Sequence, residues 1–361
     1  MEGPVSELQK LLDRIASPDA SAGLHAQRRL DELTKPAGSL GRLEELARRL
    51  AEISGVCPPV IADPVIFTLA ADHGVAAEGV SAYPQIVTTQ MVENFLRGGA
   101  AINVLARHAG ARVVVADFGV AVAPGVHPSL RSFRIGAGTR NMCREPAMTR
   151  DEAQSAIEFG IVLVESERPR GLDLIGTGEM GIGNTSAASA IIAAFTGAAV
   201  QDVTGPGTGV DEDGRRRKVH AIERALHLNR PDPADALDVL SKVGGFEIAG
   251  LVGVMLAGAA HRIPVIVDGF IASAAALAAV RLAPAARYCL LASHRSAEPG
   301  HRHALAALGL DPYLDLGMRL GEGTGAALCI DLARAAVKVL SEMATFKSAG
   351  VSTSRPESAD T

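Results

Sequence analysis

Five short apolar runs, Val65 to Ala71, Ala111 to Ala116, Leu172 to Thr177, Ile263 to Val267 and Arg287 to Ala292, recur along the chain with helix-length stretches between most of them. None has the polar-apolar alternation of a strand with one wet face. Continuous runs of this length read as strands covered on both sides, which a parallel sheet with crossover helices provides. The expected fold is therefore α/β, an open and mainly parallel sheet with helices on both faces. The runs end in Asp72-His73-Gly74, Asp117-Phe118-Gly119, Gly178-Glu179, Asp268-Gly269 and Ser293-His294. Ligands of open α/β sheets bind outside the carboxyl ends of the strands, so these polar ends point to one shared site.

A weak internal echo agrees with this layout. The segments GGAAINVLARHAGARVVVADFG from Gly98 and GGFEIAGLVGVMLAGAAHRIPVIVDG from Gly244 both run Gly-Gly, apolar helix, His, strand, Asp, Gly. Two copies at no fixed period do not make a repeat protein. The ends differ from this middle. Ser39 to Ser54 sets Leu40, Leu43, Ala47, Leu50 and Ile53 on one helical face, with Ser39 as the expected cap, and Ala326 to Met343 is again helical. The expected domains are a catalytic α/β domain over 55–300 and a small helical domain from 1–54 with 301–346. The Ser-, Thr- and Pro-containing tail, 347–361, reads as disordered.

Composition narrows the function classes. A net charge of -5 and 3% aromatic residues with no Trp give nucleic acid little to bind. Cys57, Cys143, Cys289 and Cys329 are widely spaced, with no CxxC pair for zinc and no disulfide framework. The first residues lack the basic-then-apolar build of a signal peptide. The longest apolar stretch, Ile248 to Ala260, falls short of the ~20 residues that span a bilayer. No membrane association and a cytoplasmic location are expected.

The segment GTGEMGIGNTSAA, Gly176 to Ala188, joins an apolar run to an alanine-rich helix. Gly176, Gly178, Gly181 and Gly183 suit a backbone that turns with positive φ and brings N–H groups against a phosphate at the helix N-terminus. Glu179, an acid inside an anion-suited loop, reads as a substrate contact. The same residues satisfy GxGxxG, with Asp202 as the ribose acid, so the alternative is a nucleotide-dependent oxidoreductase. Against it, Thr196 to Val200 is too short and glycine-broken for the strand that should precede that acid.

Three further clusters carry candidate chemistry. In RLGEGTGAALCIDLA, Glu322 stands between glycines just before a helix, where the dipole holds a carboxylate ionised and accessible, as a general base requires; the competing reading is an ordinary first-turn acid. In SHRSAEPGHRH, Ser293, His294, Ser296, His301 and His303 crowd a strand end. His-x-His invites a metal, but no further ligand set accompanies it, and Ser and His suit phosphate or ribose equally. In TGPGTGVDEDGRRRKV, the run Arg215, Arg216, Arg217 and Lys218 resembles a solvated face, with Lys218 beside Val219 best placed to turn inward onto a phosphate.

The series LTKPAGSLGRLEELA at Leu33, AADHGV at Ala70, GEMGIGNTSAA at Gly178, SKVGGFEIAGLVGVMLAGA at Ser241, PVIVDGF at Pro264, SHRSAEPG at Ser293 and MRLGEGTGAAL at Met318 resembles the nicotinate mononucleotide:5,6-dimethylbenzimidazole phosphoribosyltransferases, from Leu33 to Met343. That resemblance implies transfer of phosphoribosyl from nicotinate mononucleotide to the benzimidazole, no metal or organic cofactor, and a homodimer. It further implies Glu322 as base and an azole pocket from Glu179, Tyr83, Gln90, Met180 and Leu320; burial of Glu179 in such a pocket would raise its pKa, which makes it the alternative base. The phosphate and ribose would meet Gly181, Ile182, Gly183, Asn184, Lys218, Ser293 and Ser296. Tyr83 and Gln85 stand where members vary, so the choice of acceptor azole is the finest part of this expectation.

Overall fold

The structure, a computed structural model, describes residues 7–352. Six strands, β1 Pro64–Ala71, β2 Arg112–Gly119, β3 Leu130–Ser132, β4 Leu174–Met180, β5 Val265–Val267 and β6 Leu290–Ala292, form one sheet in the order β3-β2-β1-β4-β5-β6. Every neighbouring pair is parallel. The open parallel α/β sheet expected from the apolar runs is thus the architecture found. The unanticipated strand, β3, is three residues long and lies at the sheet edge, half-exposed, so it carries no apolar run to read.

Strand alternation puts different helices on the two faces. On one side the helix Phe246–Ala260 approaches so closely that a Cβ on Gly250 would lie 2.7 Å from Leu69 and one on Gly258 2.5 Å from Val265. On the other, Thr68 Oγ1 donates to Glu322 O at 3.0 Å, and a Cβ on Gly176 would stand 3.3 Å from Ala326. The helix Phe246–Ala260 is buried along almost its whole length, which is what its unbroken apolar sequence requires. Among the described residues no helix is long and apolar enough to cross a membrane. The sheet order reverses between β1 and β4, so their carboxyl ends open the crevice in which such sheets bind ligands.

The chain divides into two compact units. One comprises Met1–Ser17 and Ala62–Ile330 and contains the sheet; the other comprises Pro18–Ile61 and Asp331–Thr361. Residues 301–330 therefore group with the sheet. In the second unit the helices Ala20–Glu32 and Arg42–Ser54 bury Leu30, Leu46 and Leu50, and Lys35 pairs with Glu44 at 2.8 Å. Ser39 is not the cap. Gly38 and Gly41 both take positive φ, Gly41 occupies the cap position, and Leu40 turns outward while its N–H donates to Glu44. The expected loose tail also begins in order: Lys347 lies in a helix, Phe346–Ala349, capped by the Thr345 hydroxyl, and 353–361 fall outside the described residues.

Candidate active site

The glycine segment is built differently from a phosphate-binding turn. β4 continues through GTGEM to Met180, so Gly176 and Gly178 are strand residues, and of the four glycines only Gly183 has positive φ, at 98°. The others provide room. A Cβ on Gly178 would stand 2.3 Å from the Glu322 carbonyl oxygen, and one on Gly181 2.3 Å from that of Ala71. Gly183 then opens the helix Asn184–Thr196 without a side-chain cap. Asp202, the ribose acid of the dinucleotide alternative, is exposed in the short helix Val200–Val203, and β1 is followed by Asp72-His73-Gly74 where a dinucleotide fold places its glycine loop. That alternative fails on both counts.

Glu179 is buried at the end of β4, where Asn184 Nδ2 donates to its Oε2. Burial above all, then the neighbouring Asp268 and Glu247, push its carboxyl up to about 8, so at neutral pH it is mainly the uncharged acid. Glu322 faces the same space. It has φ 63° between Gly321 at 82° and Gly323 at 98°, a left-handed run that is costly for a residue with a Cβ. This conformation seats its carbonyl over Gly178 and turns its carboxylate to the Ile102 N–H, 3.2 Å away, in the first turn of the helix Ala101–His108.

The dipole next to Glu322 is therefore not that of the helix following it in sequence. That helix, Thr324–Glu342, is capped by Asp268, whose oxygens accept from Ala326 N at 3.0 Å and Gly323 N at 3.3 Å. Burial raises the Glu322 carboxyl, partly offset by the Ile102 N–H. Burial likewise pushes Asp268 up to about 7 despite its backbone donors. Asp268 lies outside the set of site residues expected from the sequence, although its place directly after β5 is a signal for it.

A cavity of about 730 Å³ joins these groups at the carboxyl edge of the sheet. It takes in Glu179, Glu322, Met180, Gly181, Ile182, Asn184, Ser296, Tyr83 and Leu320, nine of the thirteen expected residues. Of the remaining four, Gln90 is exposed on the helix Val87–Arg97, and Gly183 lies against His73. Ser293 is buried behind the wall, its hydroxyl given to Asp268 O. Lys218 is also buried, with Nζ bonded to Thr185 Oγ1 at 3.0 Å and Gly205 O at 3.2 Å; burial lowers its ammonium to about 8. Thr185 itself faces the cavity, so Lys218 acts on the site through one intervening hydroxyl.

Backbone donors are only partly free. The Ile182 N–H is given to Thr88 Oγ1 at 3.1 Å, and Thr88 in turn donates to Asp72. Beneath this turn His73 Nε2 and Glu247 Oε1 pair at 2.7 Å, both fully buried. His301 is neutral and occupied: its Nδ1 accepts from Ser296 N at 2.8 Å, its Nε2 meets Ser273 Oγ at 3.0 Å, and burial lowers its imidazole to about 3. Among the described residues no three His, Cys, Asp or Glu side chains converge as metal ligands.

A family model described as phosphoribosyltransferase matches residues 15–351. The nicotinate-nucleotide-dimethylbenzimidazole phosphoribosyltransferase of a Roseiflexus species is 56% identical over 348 residues, covering 96% of this chain and 99% of its own. A protein of the same name from Geobacter metallireducens is 55% identical, covering 97% and 99%. The crystal structure of such an enzyme from Thermus thermophilus superposes with a TM-score of 0.88 at 47% identity, covering 93% of this chain and 100% of that one.

Proposed function

The chain belongs to the nicotinate-nucleotide-dimethylbenzimidazole phosphoribosyltransferase family, and we propose that Glu322 is the base of the transfer it performs. The enzyme moves the 5-phosphoribosyl group of nicotinate mononucleotide to 5,6-dimethylbenzimidazole, giving nicotinate and α-ribazole 5′-phosphate for the lower ligand of cobalamin. One azole nitrogen attacks the anomeric carbon, and the pyridinium leaves with the bonding pair as neutral-ring nicotinate. Attack from the face opposite the leaving base yields the α linkage. Positive charge then grows on the azole unless its second N–H is lost, and Glu322 accepts that proton.

The observation that carries this assignment is the pairing of two acids with different environments. Glu322 has a backbone N–H favouring its ionised form, whereas Glu179 is driven to about 8 and held as the acid. A neutral Glu179 can orient the azole by hydrogen bond but is a poor proton acceptor at neutral pH. Tyr83, Met180 and Leu320 supply the apolar walls for the benzimidazole. Gly181, Thr185 and Ser296, backed by Lys218, form the phosphate end and hold the sugar for in-line attack.

The same reading makes the enzyme a cytoplasmic homodimer that binds no nucleic acid. That none of Cys57, Cys143, Cys289 and Cys329 forms a disulfide fits a reducing compartment, and Tyr83 and Leu320, exposed at the cavity rim, fit cover by a second subunit. Incubation with nicotinate mononucleotide, with and without the azole, tests the reaction. Nicotinate should be released only when the azole is present, with an α-linked product; release without acceptor would mark a hydrolase.

A further inference from the structure

One cluster of charge lies outside the catalytic cavity and has no part in the transfer. A second cavity, of about 530 Å³, is lined by Glu78, Arg216, Arg217, His220, Ala221 and Arg224, and the two linings share no residue. Its volume falls within the range of small-molecule pockets. Ala221 is the one apolar residue of this lining, so the hollow offers little to an apolar ligand.

The helix Glu212–Asn229 builds most of the wall. Arg216, His220 and Arg224 follow one another at four-residue intervals, which sets them in a single row along the helix with Arg217 beside it. The cationic run that reads in the sequence as a solvated face is therefore folded around a hollow. Lys218 takes no part in it, since its ammonium is given to Thr185 Oγ1 and Gly205 O.

The charges of this cluster do not cancel. Arg216 pairs with Asp213. Glu78 serves two guanidiniums, those of Arg224 and of Arg144 at 3.7 Å, and also accepts from Asn141 Nδ2 at 2.7 Å. Arg217 and His220 have no carboxylate partner among the described residues. Four guanidiniums and an imidazole thus gather around two carboxylates, in a chain whose net charge is -5. Cations held this close repel one another, and a multiply charged anion among them relieves that repulsion. Planar guanidiniums suit the oxygens of phosphoryl groups in particular.

We propose that this cavity binds a small anion carrying two linked phosphoryl groups, separately from the substrates of the transfer. Arg217 and His220 contact it directly. Arg216 and Arg224, steadied by Asp213 and Glu78, complete the rim. A single phosphoryl group reaches fewer of these donors, so orthophosphate binds more weakly than pyrophosphate.

Calorimetric titration of the full-length protein with inorganic pyrophosphate and with orthophosphate tests this. The titration is run at fixed ionic strength without divalent cations or azole, the catalytic cavity being first saturated with nicotinate mononucleotide. One pyrophosphate per chain should bind, more tightly than orthophosphate. Arg217→Gln should weaken it roughly 10-fold, and the double variant Arg217→Gln, His220→Gln further. Both side chains are exposed, so neither change disturbs the core. Arg215→Gln removes an equal charge from the same helix outside the cavity, where Arg215 pairs with Glu212 at 2.7 Å, and should leave the affinity unchanged. No pyrophosphate binding to the wild type, binding indifferent to the double variant, or an equal loss in Arg215→Gln would overturn the assignment.

Discussion

The Glu322 carboxylate accepts a hydrogen bond from the Ile102 backbone N–H at 3.2 Å, which ties it to the first turn of a helix 220 residues earlier in the chain. Two opposed effects meet at that contact. The helix terminus favours the carboxylate, burial favours the acid, and the net result is a carboxyl raised above its ordinary value. A base lifted toward the working pH accepts protons more effectively than an ordinary surface glutamate.

Glu179 should leave a mark on stability as a function of pH. Folded, it keeps its proton up to about 8; unfolded, it releases it near 4.5. The folded state therefore binds more protons across that window, and stability present below it is lost as pH rises. Melting temperature should fall between about pH 5 and pH 8.5 in the wild type. Glu179→Gln, which imitates the neutral acid, should flatten the decline, and an unaltered slope would place the titration elsewhere.

Gly178→Ala tests the close approach beneath the base. Its Cβ would stand 2.3 Å from the Glu322 carbonyl oxygen and 2.7 Å from the carbonyl carbon, both backbone atoms that a rotamer change cannot move. The loop must shift. A stability loss of about 1–3 kcal/mol with a clear drop in kcat is expected, read by thermal melting and steady-state kinetics. Wild-type values for both would show that the strand and loop separate without consequence.

Lys218→Met keeps most of the buried volume and removes the ammonium that holds Thr185 Oγ1 and Gly205 O. Mononucleotide affinity should weaken by about 1.5–3 kcal/mol in calorimetry, with azole affinity little changed. A loss shared equally by both substrates would make Lys218 a structural brace alone.

Much of this arrangement is legible in the sequence because it depends on local pattern. Short apolar runs such as Val65 to Ala71, closed off by polar and glycine residues, read as strands covered twice, and the polar residues ending them mark the edge where the cavity opens. What sequence hides is contact between distant segments. The glycines of Gly176 to Gly183 read as a flexible turn, whereas Gly176 and Gly178 are strand positions left bare so that Ile66 and Glu322 can approach. Glu322 reads as an acid on its own helix, but Ile102 meets it and Asp268 takes the cap.

Steady-state kinetics of Glu322→Gln beside Glu179→Gln, with circular dichroism to verify folding, tests the central assignment most directly. Loss of the base should lower kcat roughly 10²- to 10⁴-fold in Glu322→Gln with the mononucleotide KM little altered. Glu179→Gln should keep most of its kcat and raise the azole KM. A near-normal kcat in folded Glu322→Gln, or an exchange of the two phenotypes, would contradict the account.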